Sequence, residues 1–162
     1  HMSKRIKQEI SLEVTALAQL EKWQQELIHK AEEAAINAYA PYSNFLVGAA
    51  LLTNTGKIIQ GNNQENSAFP SGLCAERVAV FSARAQHPEE KIKAIVVTAK
   101  QKTANEYTAV TPCGSCRQVL SEVESNQEQP IHLIMAGAER EIYISDSIEN
   151  LLPFKFSSKY LK

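Results

Sequence analysis

The sequence predicts an α/β fold: a three-layer sandwich whose mixed, mainly five-stranded sheet is flanked by helices. Two observations carry this expectation. Strand-like and helix-like segments alternate along the chain, and a hairpin signal stands near each end. The 162 residues are 44% hydrophobic and 22% charged, an ordinary globular composition. One core serves chains of up to about 250 residues, so residues 1–162 are expected to form a single domain.

Residues 5–14 alternate, with Ile6, Ile10, Leu12 and Val14 on one parity and charged or polar residues on the other. That pattern reads as a half-buried or edge strand, part of an extension over residues 3–15. From about residue 17 to 40 the period changes. Leu20, Trp23, Leu27, Ala31, Ala34 and Ala38 recur at three and four, an amphipathic helix that Pro41 should stop.

Residues 45–53 and 57–61 are short β-like runs around Asn54-Thr55-Gly56, a hairpin signal. A polar loop over 62–73 leads to a helical stretch at 74–86. The apolar run 93–99 reads as a buried strand. After a loop at 101–111, Pro112 precedes a helix to about residue 123. Residues 131–136 and 141–144 are strands turned by Gly137, and 147–152 is a short helix with Ser145 or Asp146 as its cap. His1 before Met2 reads as a tag remnant.

Charge and hydropathy narrow the function. Seventeen basic against eighteen acidic residues give a net charge of −1. A general nucleic-acid binder carries a basic excess, so the expected ligand is small and no nucleic acid is expected. The apolar run at 47–52 falls far short of the roughly 18 residues a membrane span needs, so no membrane is expected either. The start is polar, unlike a secretory signal, and a cytoplasmic protein is the expectation. Cys74, Cys113 and Cys116 are the three cysteines. An odd count argues for metal or catalysis over a disulfide framework.

Cys113-Gly114-Ser115-Cys116 follows Pro112. Two thiols one turn apart at a helix start face the same way, and the free N–H groups there favour thiolate. Alone, the pair is a redox couple, two buried cysteines or half of a zinc site. Cys74 stands at a second expected helix start and adds a third thiol. Three thiolates hold zinc and leave a fourth position open, the pattern of a catalytic site. His29, His87 and His132 lack ligand spacing to the cysteines. Glu76, two residues from Cys74, would serve beside such a site as general acid and base, because a bound metal acidifies its water. Arg77, one turn from Cys74, would offset the charge of the thiolates.

Cys-Ala-Glu-Arg at 74–77 with Pro-Cys-Gly-Ser-Cys-Arg at 112–117 resembles the zinc-dependent cytidine deaminases, in particular the small tetrameric enzymes acting on free nucleosides. Residues 41–51, 61–66 and 151–156 are similar to further segments of that family, so the resemblance covers about residues 20–160 in order. It implies a cytidine deaminase-like fold and one Zn²⁺ per chain on Cys74, Cys113 and Cys116, with Glu76 catalytic and Arg77 supporting the ligands. It also implies that Phe45 stacks on the pyrimidine, that Asn63 and Glu65 hold sugar hydroxyls, and that Ala75 contacts substrate. Phe156 would reach a neighbouring subunit's site in a homotetramer. The implied reaction is hydrolytic deamination of cytidine and 2′-deoxycytidine in pyrimidine salvage. The sequence departs from the family at Gln64, where an aliphatic residue is frequent, and at Phe69, where a Tyr is common.

Three rivals share part of this pattern. A blasticidin-type deaminase should lack the Asn-x-Glu loop and the Arg after Cys-Ala-Glu. A nucleic-acid-editing deaminase would carry a basic groove. A non-catalytic zinc module needs neither Glu76 nor an open ligand position.

Overall fold

A six-stranded sheet forms the middle layer of the computed structural model, which describes residues 2–162; His1 lies outside the described residues. The strands are β1 (Glu13–Thr15), β2 (Phe45–Thr53), β3 (Ile58–Asn62), β4 (Ile92–Gln101), β5 (His132–Ala136) and β6 (Ile142–Ser145). The helices are α1 (Lys22–Ile36), α2 (Ala75–Gln86) and α3 (Gly114–Gln127). The spatial order is β1-β6-β5-β4-β2-β3. β4 and β5 run parallel and the other neighbours antiparallel, which makes the sheet mixed as expected.

The sheet is one strand wider than the expected five, and that strand is much shorter than the alternation at 5–14 suggests. Only Glu13–Thr15 pairs, against Ile142–Ile144 of β6. β6 is four residues long, so the chain before Glu13 runs past the edge it could join. Ile6, Ile10 and Val14 stay exposed, which corrects the half-buried reading of this segment. Two side-chain contacts hold the extension instead. The Ser11 N–H donates to Asn150 Oδ1 at 3.2 Å, and the Phe154 N–H donates to Gln8 Oε1 at 3.2 Å.

The long helix expected over 17–40 is split. A 3-10 turn covers Leu17–Gln19, and α1 begins after Glu21, whose main-chain N–H donates to Gln24 Oε1 in a capping box. α1 ends at Ile36, well before Pro41. Beyond it the Tyr39 N–H donates to the Asn63 carbonyl and the Tyr39 carbonyl accepts from Glu65 N–H. Pairing with the 63–65 loop takes the backbone groups that a longer helix would need.

The two faces of β4 show why there are three layers. Ala94 and Val96 pack with Leu27, Ile28 and Ala31 of α1. Ile95 and Val97 pack with Ala79 and Val80 of α2 and Leu120 of α3. Alternating side chains are apolar on both sides, so both faces must be covered. Small residues let the helices lie close. A Cβ on Gly61 of β3 would come within 2.5 Å of the Ala75 carbonyl and of Ala79 N, so only glycine allows α2 to sit this deep. The parallel β4–β5 pair requires a crossover, and α3 supplies it. Ser147, not Ser145 or Asp146, caps the short helix Ile148–Leu151, its side chain accepting from Glu149 N–H.

Candidate active site

Two helix starts meet at the candidate site. Cys74 is the N-cap residue of α2 and Cys113 that of α3, and Cys116 lies in the first turn of α3. The free N–H groups and positive dipole ends of both helices therefore surround the thiols, an environment that favours thiolate. The three Sγ atoms lie within 4.8 Å of one another, and Cys74 and Cys113 are 3.7 Å apart. All three thiols are free. Tetrahedral ligation at the usual zinc–sulfur length sets sulfurs about 3.8 Å apart. The donors are therefore spaced for a metal rather than for a disulfide.

Charge in this cluster is unevenly held. The Cys74 thiol is pulled down to about 5, chiefly by its hydrogen bond with Cys116, with Arg77 and Cys113 assisting against burial. Arg77 Nη2 donates to Cys74 Sγ at 3.4 Å. Cys116 is pushed up, first by bonding Cys74, then by burial and the nearby Glu76 carboxylate. Glu76 lies in the first turn of α2 and is 4% exposed. Burial raises its pKa, and the charge on Cys74 adds to the rise. A carboxyl so placed keeps its proton to higher pH than an exposed one.

All of these groups except the fully buried Cys116 line one cavity of about 680 Å³. Phe45, Asn63 and Glu65 line the same cavity as Cys74, Glu76, Arg77 and Cys113. The 63–65 loop is pinned on two sides. Asn63 and Glu65 pair with Tyr39, and Gln64 exchanges both main-chain bonds with Leu73, just before Cys74. The Asn63 side chain is itself a clamp: Oδ1 accepts from Val47 N–H at 2.8 Å and Nδ2 donates to the Phe45 carbonyl at 2.9 Å. Glu65 accepts from the Tyr42 and Ser43 N–H groups and from the Ser43 hydroxyl. Those bonds, the hydroxyl's first, hold its carboxyl below the usual range.

Two residues sit apart from this pocket. Ala75 is fully buried, with its carbonyl against Gly61, and does not line the cavity. Phe156 is exposed, stacks on Tyr160 and does not line the cavity of its own chain. Tyr42 and Ser43 also line the pocket, as does Phe69, where the family commonly has Tyr. The segment at 41–51 resembles the family's, but nothing local to 41–44 shows that Ser43 reaches Glu65, 22 residues on.

Three clustered thiols at helix starts, with a buried carboxyl at the same cavity, define a metal-dependent hydrolytic site. The comparisons narrow that class. Residues 21–128 match the family model of the cytidine and deoxycytidylate deaminase zinc-binding region. The cytidine deaminase of Sporosarcina psychrophila is 39% identical over 137 residues, covering 85% of this chain and 93% of that protein. The cytidine deaminase of Halalkalibacterium halodurans is 38% identical over 135 residues, 83% of this chain and 95% of that one. The crystal structure of cytidine deaminase from Burkholderia pseudomallei superposes with a TM-score of 0.69 at 38% identity, covering 81% of this chain and 97% of that chain. The chain belongs to the zinc-binding cytidine and deoxycytidylate deaminase family.

Proposed function

We infer that this chain hydrolyses cytidine to uridine and ammonia, and 2′-deoxycytidine likewise. The observation that carries the reading is a nearly buried Glu76 in the same cavity as the Cys74 and Cys113 thiols. Support comes from relatives named cytidine deaminase that match along most of their length. Cys74, Cys113 and Cys116 would hold one zinc ion. Zinc so held activates water as a nucleophile at neutral pH.

The chain's own groups do the rest. Glu76 accepts a proton from the attacking water and passes it to ring nitrogen 3. It then takes the second proton from the oxygen now bonded to C4 and delivers it to the amine, so that the C4–N bond breaks with release of ammonia and the C4 carbonyl forms. Phe45 covers the pyrimidine face, and Asn63 and Glu65 receive the sugar. Holding the nucleoside at both ends makes the attack effectively intramolecular. Arg77 keeps charge on Cys74 from building up unopposed.

We also propose a homotetramer in which Phe156 enters a neighbour's pocket, a cytoplasmic setting, and a role in pyrimidine salvage. Support for the shared pocket is that Phe156 is exposed and lies outside its own chain's cavity. Among the described residues no helix is long and apolar enough to cross a membrane. The deciding experiment is ammonia release from cytidine by the zinc-loaded protein, with cytosine and deoxycytidine in parallel. Release from cytidine is the expected result; none from any of the three would overturn the activity.

A further inference from the structure

One hydroxyl connects the two halves of the proposed nucleoside pocket. The Ser43 hydroxyl donates to Glu65 Oε1 and accepts from Phe45 N–H at 3.0 Å. The Ser43 main-chain N–H reaches Glu65 Oε2 at 3.3 Å, beside the Tyr42 N–H at 2.9 Å. Asn44 makes this possible. Its φ of 54° turns the chain back, and its N–H and carbonyl are tied to the Ala40 carbonyl and Lys102 N–H. The 42–45 loop thus folds around the Glu65 carboxylate, 22 residues beyond Ser43 in sequence.

We propose that Ser43 is a positioning residue for sugar recognition, fixing the Glu65 carboxylate so that it meets the nucleoside hydroxyls already oriented. The proposal rests on the reading of Glu65 as a sugar contact. The two oxygens of Glu65 are held unequally. Oε2 accepts from two main-chain N–H groups, whereas Oε1 has the Ser43 hydroxyl as its partner. A carboxylate has about four acceptor sites, and three are used here, which leaves one direction for a ligand hydroxyl. Without the Ser43 hydroxyl, Oε1 loses its restraint and the carboxylate must be ordered when substrate binds. Charge-assisted bonds of this type are the stronger ones, so that ordering cost falls on affinity.

Phe45 loses the acceptor of its N–H but keeps its place. Its carbonyl still accepts from Asn63 Nδ2, and its backbone remains paired with Gln101 in the sheet. Ser43 therefore acts on the sugar end and leaves the ring end in place. It is also exposed, so replacing it buries no polar group and opens no cavity.

Steady-state kinetics of the zinc-loaded protein on cytidine and on cytosine, which lacks the sugar, test this. Ser43→Ala should raise KM for cytidine about tenfold, the scale of one charge-assisted hydrogen bond. It should leave kcat on cytidine and the slow rate on cytosine within about twofold of the parent. Ser43→Thr, which keeps the hydroxyl, should restore KM. Zinc content and melting temperature of both variants should match the parent. A parent that prefers cytidine, with Ser43→Ala keeping the same preference, overturns the role of Ser43 and leaves the Glu65 reading intact. A parent that treats cytosine and cytidine alike overturns both. A fall in kcat on both substrates with unchanged KM also overturns the proposal, because Ser43 would then act on the reaction or the fold. So does a Thr variant that behaves like Ala.

Discussion

Arg77 donates through Nη2 to Cys74 Sγ at 3.4 Å, from a position one turn along α2. Its Nε is buried and makes no hydrogen bond, so the guanidinium is held for its charge on the thiols more than for a full set of bonds. The thiol partner in turn pushes the arginine pKa up, the expected sign for a cation beside a thiolate. Arg77→Gln removes the charge and keeps a donor. Outer groups of this type are worth roughly 10–100-fold in metal affinity or activity. Chelator competition for zinc and turnover of cytidine should therefore both shift in that range. Parity with the parent in both would reduce Arg77 to a structural arginine.

Glu76→Gln separates proton transfer from metal holding. The amide fills the same space in the first turn of α2 but cannot carry a proton. Loss of a general acid/base costs on the order of 10²–10⁴-fold. Turnover should fall by at least that much while the zinc content stays at one per chain. Near-normal turnover would remove Glu76 from the reaction.

Stability away from the pocket hangs on another carboxylate. Glu124 of α3 is nearly buried; Oε2 accepts from Ile131 N–H at 2.8 Å and Ile148 N–H at 3.0 Å, and Oε1 from the Ser147 hydroxyl at 2.8 Å. It ties α3 to the approach to β5 and to the helix before the tail. Glu124→Leu leaves two buried N–H groups without partners, at about 1–3 kcal/mol each. Glu124→Gln keeps an acceptor oxygen and should cost less. Urea midpoints rank the three proteins, and equal midpoints for Leu and parent would show that the bonds contribute nothing net.

His132 should make stability depend on pH. Its Nε2 lies 3.1 Å from Gln24 Nε2, an arrangement in which a neutral ring accepts the amide proton. Burial lowers its pKa below 6.5, outweighing the raising effect of Asp146, Glu13 and Glu21. The unfolded chain then binds the proton more readily than the folded one. Stability is complete above 6.5 and declines as pH falls through that value toward the lowered one. His132→Gln cannot titrate, so the difference in urea midpoint between parent and variant should change between pH 7.5 and 5.5. A constant difference would rule His132 out as a contributor.

Local features of the chain are legible in the sequence, and long-range pairings are not. The helix starts at Cys74 and Cys113 could be read because caps and first turns are local signals. The buried β4 was legible because both of its parities are apolar. The 5–14 alternation misled, because a period of two states which residues could share a face but not whether anything covers it. The end of α1 differs from the sequence expectation for a related reason: the competitor for its backbone is the 63–65 loop, far away in sequence. Within the pocket, residue types that carry chemistry stood out. The Ser43 hydroxyl, which carries none of its own, did not.

The tail gives the last prediction. Leu151 is buried, but Phe154, Phe156, Tyr160 and Leu161 are 59–76% exposed. The tail is nevertheless held. Gln118 Nε2 of α3 donates to the Phe156 carbonyl at 3.2 Å, and Arg117 Nη1 to the Leu151 carbonyl at 3.0 Å. Arg117 Nε also donates to the Pro112 carbonyl at 2.7 Å, immediately before Cys113. The main chain is thus fixed against the helix that carries two of the thiols, while the aromatic faces point away from the core. Phe156 and Tyr160 stack on each other with centroids 5.6 Å apart, forming a ready apolar surface for another copy. If the proposed homotetramer forms, light scattering should report about four chains. Truncation before Pro153 removes the exposed aromatics but keeps Leu151, so the fold should survive while assembly and turnover fall together. Phe156→Ser, a milder change, should lower turnover and leave the thiol cluster loaded with zinc. A fully active monomer would defeat the shared pocket without touching the chemistry assigned to Glu76.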